Sequence, residues 1–163
     1  MFQFKANRAA VILFLAAPAA LIASAPALAI VPGSSAAVNV DKAGLALRGY
    51  DPVAYFDSGK PTAGKAAISA SFDGSRYLFA SEDHRAAFLA DPAKYVPQFG
   101  GFCALGTSYG EKVDGDPTTG RVVADKLYVN NSPRAAELFN EDVSGTIERA
   151  EQNWPTVKDK VAE

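Results

Sequence analysis

Two side chains carry most of the chemistry this sequence offers: Cys103, its sole cysteine, and His84, its sole histidine in 163 residues. A thiolate and an imidazole can ligate a soft cation such as Cu(I), or act as nucleophile and base. The one methionine is Met1, so a single chain supplies at most a two-coordinate Cys/His site. It can build neither a closed four-ligand zinc site nor an intrachain disulfide. Two chains meeting at Cys103 could share a metal ion or form an intermolecular disulfide, so a homodimer stays open. Each residue also has a plain structural reading. Free cysteine is often a small buried hydrophobe, here between Phe102 and Ala104, and a histidine at the third position of a helix can cap or pack. Nineteen residues separate the two, which neither requires nor forbids contact, and no Asp or Asn orienter can be chosen. No catalytic or cofactor-binding residue is therefore assigned.

Other motifs fail on their spacing. Asp114-Gly115-Asp116-Pro117 has some character of a calcium loop, but Thr119 and Asp125 stand where an EF-hand needs its Gly and Glu. Gly106 and Gly110, followed by Glu111 and Lys112, match no phosphate-cradling pattern.

The first 29 residues read as a sorting signal. Lys5 and Arg8 precede an uncharged stretch from Ala9 to Ala29 that ends in Ala27-Leu28-Ala29, the small-x-small pattern of a signal peptidase site. Pro18, Pro26 and many alanines argue against an uncleaved anchor, and no adjacent Arg pair points to the twin-arginine route. The expected product is soluble in a periplasm or outside the cell, with no membrane contact after cleavage. Cleavage after Ala29 leaves 134 of the 163 residues, with 14 Lys+Arg against 18 Asp+Glu and a net charge of −4. Scattered basic residues on an acidic chain exclude nucleic acid as a partner. This length suits one core and not two.

The elements that must position Cys103 and His84 follow from pattern. Residues 30–40 read as a linker or loosely held arm, 41–157 as the domain and 158–163 as a tail. No repeat or low-complexity tract is legible. Ile68 to Phe72 alternates apolar with small polar residues, Asp73-Gly74 turns the chain, and Tyr77 to Ala80 returns it as a hairpin. Ser81 caps a helix that runs to Asp91-Pro92, with His84 and Phe88 on one face. Pro97 to Gly110 is a loop or short helix. Gly120 to Asn130 makes a second hairpin, turning at Asp125-Lys126. Ser132-Pro133 opens another helix, and Val143, Ile147, Ala150 and Trp154 share a helical face that Pro155 ends. Tyr50, Tyr55, Phe56, Tyr77, Phe79, Phe88 and Tyr95 build the core. The pattern predicts α+β: one small domain of two β-hairpins packed with short helices.

Four phrases together, Gly49 to Phe56 (GYDPVAYF), Tyr77 to Glu82 (YLFASE), Phe88 to Tyr95 (FLADPAKY) and Gly100 to Ala104 (GGFCA), make the chain from Val40 to Trp154 resemble the secreted bacterial YHS domain proteins. The resemblance implies a small α+β module related to domains that bind soft metals through cysteines. In the metal-linked branch three thiolates fall at positions that here are Ala54, Ala80 and His84, so the implied metal site is largely dismantled. Asp125 stands where that group is expected to have Gly, which affects the turn and no chemistry. The resulting expectation is a secreted binding or accessory module, more an interaction protein than an enzyme. It would associate with a soft metal, copper first, through Cys103 and conditionally His84, or else bind a protein partner with an inert thiol. A thiol-dependent enzyme would require Cys103 and His84 side by side.

Overall fold

Asp73-Gly74 and Ala124-Asp125 each reverse the chain in two residues, with φ of 48°, 74°, 47° and 57°. Turns with both central residues at positive φ match the twist of paired strands. In the computed structural model, which describes residues 36–162, they close β1 (Lys65–Phe72) on β2 (Ser75–Phe79) and β3 (Asp116–Val123) on β4 (Lys126–Asn130), both antiparallel. The expected signal segment lies outside the described residues. The second reversal comes one residue earlier than the sequence pattern places it, because Lys126 already pairs with Val123 as the first residue of β4.

Six α-helices surround these hairpins: α1 (Ala54–Asp57), α2 (Glu82–Ala90), α3 (Pro92–Tyr95), α4 (Ala104–Ser108), α5 (Pro133–Glu141) and α6 (Val143–Val157). The result is one small α+β domain, as the pattern predicts. Local chemistry sets the helix starts. Ser81 and Ser132 accept the N–H groups of His84 and Ala135 at 3.1 and 3.2 Å, and Asp91 and Asp142 do the same for Lys94 and Gly145. Pro155 does not end α6. The helix continues to Val157, which is buried, while the buried Lys112 ammonium donates to the carbonyls of Lys158 and Lys160 at 2.8 and 2.9 Å. That clamp satisfies carbonyls at the helix end and also ties down the expected tail. Among the described residues no helix is long and apolar enough to cross a membrane.

The element order occurs twice, at a spacing of 50 to 52 residues. A left-handed turn, a short helix, a hairpin, a Ser-capped helix and an Asp-capped helix run from Leu47 to Tyr95 and again from Phe99 to Val157. The left-handed turns are Leu47-Arg48-Gly49, with φ of 51°, 50° and 78°, and Phe99-Gly100-Gly101, with φ of 53°, 61° and 81°. An isolated parallel bridge, Leu45 with Arg76, has its counterpart in Pro97 with Leu127. The ring pairs Tyr77–Phe88 and Tyr128–Phe139 lie 5.0 and 5.9 Å apart at 37° and 35°. This corrects the sequence reading that found no repeat. Caps, turns and core rings persist while intervening side chains have diverged, as in Phe79 against Asn130 or His84 against Ala135.

Each unit carries its own core. In the first, Phe88 is fully buried and meets the rings of Phe72, Tyr77, Phe79 and Tyr95. In the second, Phe99, Tyr128, Phe139 and Ala150 pack with Ile147 and Trp154. The units are joined by Tyr55, whose hydroxyl donates to the Pro117 carbonyl at 2.8 Å, and by the arm before the first unit. Asn39 of that arm is buried and donates its N–H to the Gly100 carbonyl at 2.8 Å, so the described end of the 30–40 segment belongs to the folded body.

Burial, reinforced by the Asp73 carboxylate, pushes Tyr77 up to about 12 from 10.0. An unfolded tyrosine ionises near 10 while the folded one keeps its proton, so this contribution to stability is intact below pH 10 and lost as pH rises towards 12. Urea midpoints should fall across that window and Tyr77→Phe should flatten the fall; an identical alkaline profile in both proteins would contradict the assignment.

Candidate functional site

Asp51 has no exposed surface, and its carboxylate must find partners inside the protein. Pro52 follows it and turns the chain so that Oδ1 accepts the Val53 N–H at 2.9 Å. Oδ2 accepts the Ala80 N–H at 2.7 Å, from the end of the first hairpin. The same oxygen lies 2.6 Å from Nδ1 of His84, which the Ser81 cap holds in the first turn of α2. A carboxylate that only accepts assigns a proton to Nδ1. Nε2 is then the ring atom facing out, 3.8 Å from Oδ2 of Asp57, a residue of α1 whose side chain is 70% exposed. Around it lies an open cleft of about 380 Å³, lined by Phe56, Asp57, Asp83, His84, Lys94 and Tyr95 among others.

Of the three positions where the family resemblance implies thiolates, Ala80 and His84 meet this carboxylate. Ala80 donates its N–H to it, His84 its ring, and Ala54 follows Val53 into the buried start of α1. Both polar groups nearest the imidazole are oxygens, Asp51 and Asp57. The arrangement orients one ring nitrogen toward solvent and can present it to a polar ligand.

Cys103 is in the other unit. It is 2% exposed and stands at the N-cap of α4, packed with Leu105, Ala135, Val113 and Leu138. Its sulfur accepts the Gly106 N–H at 3.3 Å and lies 3.8 Å from Oδ1 of Asn130, which also accepts the Leu105 N–H at 3.1 Å. Burial pushes the thiol up, and the N–H groups of Gly106, Asn131 and Leu105 only partly oppose it. Burial thus favours the protonated thiol.

His84 and Cys103 share no polar partner, and the repeat explains why. Asp51 and Cys103 each stand two residues after the last left-handed glycine of their unit, and each accepts a nearby N–H. His84 corresponds to Ala135, three residues after the capping serine, and it is Ala135 that packs beside Cys103. The two residues thus belong to equivalent places in different units. Among the described residues no three His, Cys, Asp or Glu side chains are grouped to hold a metal ion.

The residues missed by sequence reasoning are Asp51, Asp57 and Asn130. Asp51 had a local signal, since Asp before Pro commonly folds its carboxylate back on the next N–H. Its distant partners, 29 and 33 residues away, had none. No family model, no curated protein and no solved structure matches the chain.

Proposed function

We propose that the chain is an exported YHS-like accessory module that acts by binding a partner, with Cys103 an internal structural thiol. The sealed environment of that sulfur carries the reading: 2% exposure, an N–H donor at 3.3 Å and a thiol pushed up by burial. Export rests on the pattern of residues 1–29, and the family on the four phrases between Gly49 and Ala104.

Copper does not fit the donors present. Cu(I) needs soft ligands converging on one point, whereas Cys103 is enclosed in the second unit and His84 faces a cleft in the first beside carboxylate oxygens. The thiol-enzyme reading loses its basis too, because the polar neighbours of Cys103 are an amide side chain and backbone N–H groups, none of them a base.

The test is the reactivity of Cys103. With iodoacetamide, native protein should stay unlabelled while urea-unfolded protein labels fully, and Cys103→Ala should keep the native spectrum with a loss of about 1 kcal/mol. Rapid labelling of the native chain, or stoichiometric Cu(I) binding abolished by Cys103→Ala, would overturn the reading in favour of the soft-metal alternative.

A further inference from the structure

We propose that the open groove between the β3–β4 turn and the α5–α6 corner docks a lysine- or arginine-bearing segment of a partner protein. This rests on the accessory-module reading and gives it a face and a partner chemistry. The groove encloses about 630 Å³. Val123, Val143 and Ile147 supply apolar surface continuous with the core around Phe139, and Glu141, Asp142, Glu148 and Glu151 supply carboxylates around it.

The internal repeat points to the kind of occupant. Counted from the hairpin turns and the capping aspartates, Val123 and Ile147 correspond to Phe72 and Val96, and those two line a cavity of about 240 Å³ that Gly100 and Trp154 of the second unit also border. There the protein covers its own groove. Ala37 and Val38 form one wall, anchored by Asn39, whose Nδ2 donates to the Gly101 carbonyl at 3.2 Å and to Asp114 Oδ1 at 2.7 Å. A Cβ on Gly100 would overlap the Ala37 carbonyl oxygen, so the arm lies directly on the backbone of the left-handed turn. A segment of chain, bent at Ala37 and Val38, therefore lies over this place, with Trp154 of the second unit as a further wall. In the second unit the groove is lined only by β3, α5, α6 and the Asp142 that joins the two helices, among the described residues.

Charge then separates a foreign segment from a second copy of this chain. Asp142 pairs with Arg149 at 3.1 Å and Glu151 with Lys126 at 3.5 Å, while Glu141 and Glu148 meet no Lys or Arg among the described residues. Two carboxylates beside an apolar floor favour a cationic segment that also carries apolar residues. The arm of another copy, Ala36-Ala37-Val38-Asn39-Val40, carries no charge to meet them.

The experiment titrates an end-blocked heptapeptide of alternating valine and lysine into the isotope-labelled full chain and follows the backbone amide shifts. Shifts should concentrate at residues 140–151 and at Val123. Binding should weaken about tenfold in the Glu141→Lys, Glu148→Lys double variant, whose positions are exposed, and should also weaken as ionic strength rises. Shifts confined to the His84 cleft or the Phe72 cavity, equal binding of a valine–glutamate peptide, unchanged affinity in the double variant, or peptide-free self-association at the same residues would each overturn the proposal. Iodoacetamide labelling of Cys103 reports separately on the accessory-module reading, so the failure of one is distinguishable from the failure of the other.

Discussion

Asp51→Ala should cost about 3 to 5 kcal/mol in urea denaturation, one of the two largest single effects expected in this protein. The substitution leaves the N–H groups of Val53 and Ala80 without their acceptor and removes the only group bonded to Nδ1 of His84. Each abandoned buried donor costs about 1 to 3 kcal/mol. His84→Ala should cost less, about 1 to 2 kcal/mol, because the side chain is 22% exposed and Asp51 keeps both backbone donors. The double variant should cost less than the two singles together, since the contact is lost only once. A loss under about 1 kcal/mol for Asp51→Ala would mean that the carboxylate does not organise this centre.

Phe88→Ala should be comparably damaging, at about 3 to 5 kcal/mol. Phe88 is fully buried, and four rings surround it at centroid distances of 5.0 to 6.5 Å, so truncation opens a void lined by groups that β1, β2 and α3 hold in place. A small domain is stable by about 5 to 15 kcal/mol in total, so the variant should populate unfolded chains well below the parent's melting temperature. Phe139→Ala, at the equivalent place in the second unit, should lose less, because Tyr128 is its one ring partner among the described pairs, at 5.9 Å. Calorimetry on the two variants and on Phe88→Leu would decide. A loss under about 1 kcal/mol for Phe88→Ala would show that the ring cluster is not what holds the first unit together, and equal losses for Phe88→Ala and Phe88→Leu would contradict the void as the cause.

The features legible in the sequence are those whose cause is local. Ser81 and Ser132 announce their helices because the hydroxyl bonds an N–H three residues on, and Asp73-Gly74 announces its hairpin because both residues tolerate positive φ. Ala124 gives no such signal, and its turn is read one residue late. Pro155 misleads for a related reason: the sequence shows a helix breaker, but not the burial of Val157 or the Lys112 ammonium that hold the last turn beyond it. The centre at Asp51 depends on groups 29 and 33 residues away, and no periodicity encodes that distance. The repeat hides because it is one of backbone and caps more than of side chains. Once seen, it accounts for the separation of Cys103 from His84, which spacing alone left undecided.

Neither sheet borrows a strand from the other half of the chain; each is a hairpin joined by two residues. Strand registry can therefore be reached by local zippering on the microsecond scale, without first closing a large loop. What remains is the docking of the two units through the shared cluster of Leu47, Tyr55, Leu127 and Val129, the Tyr55–Pro117 bond and the Asn39 anchor, whose partners lie 62 and 75 residues away. Contacts of that sequence separation, more than the strand pairings, are expected to limit the folding rate.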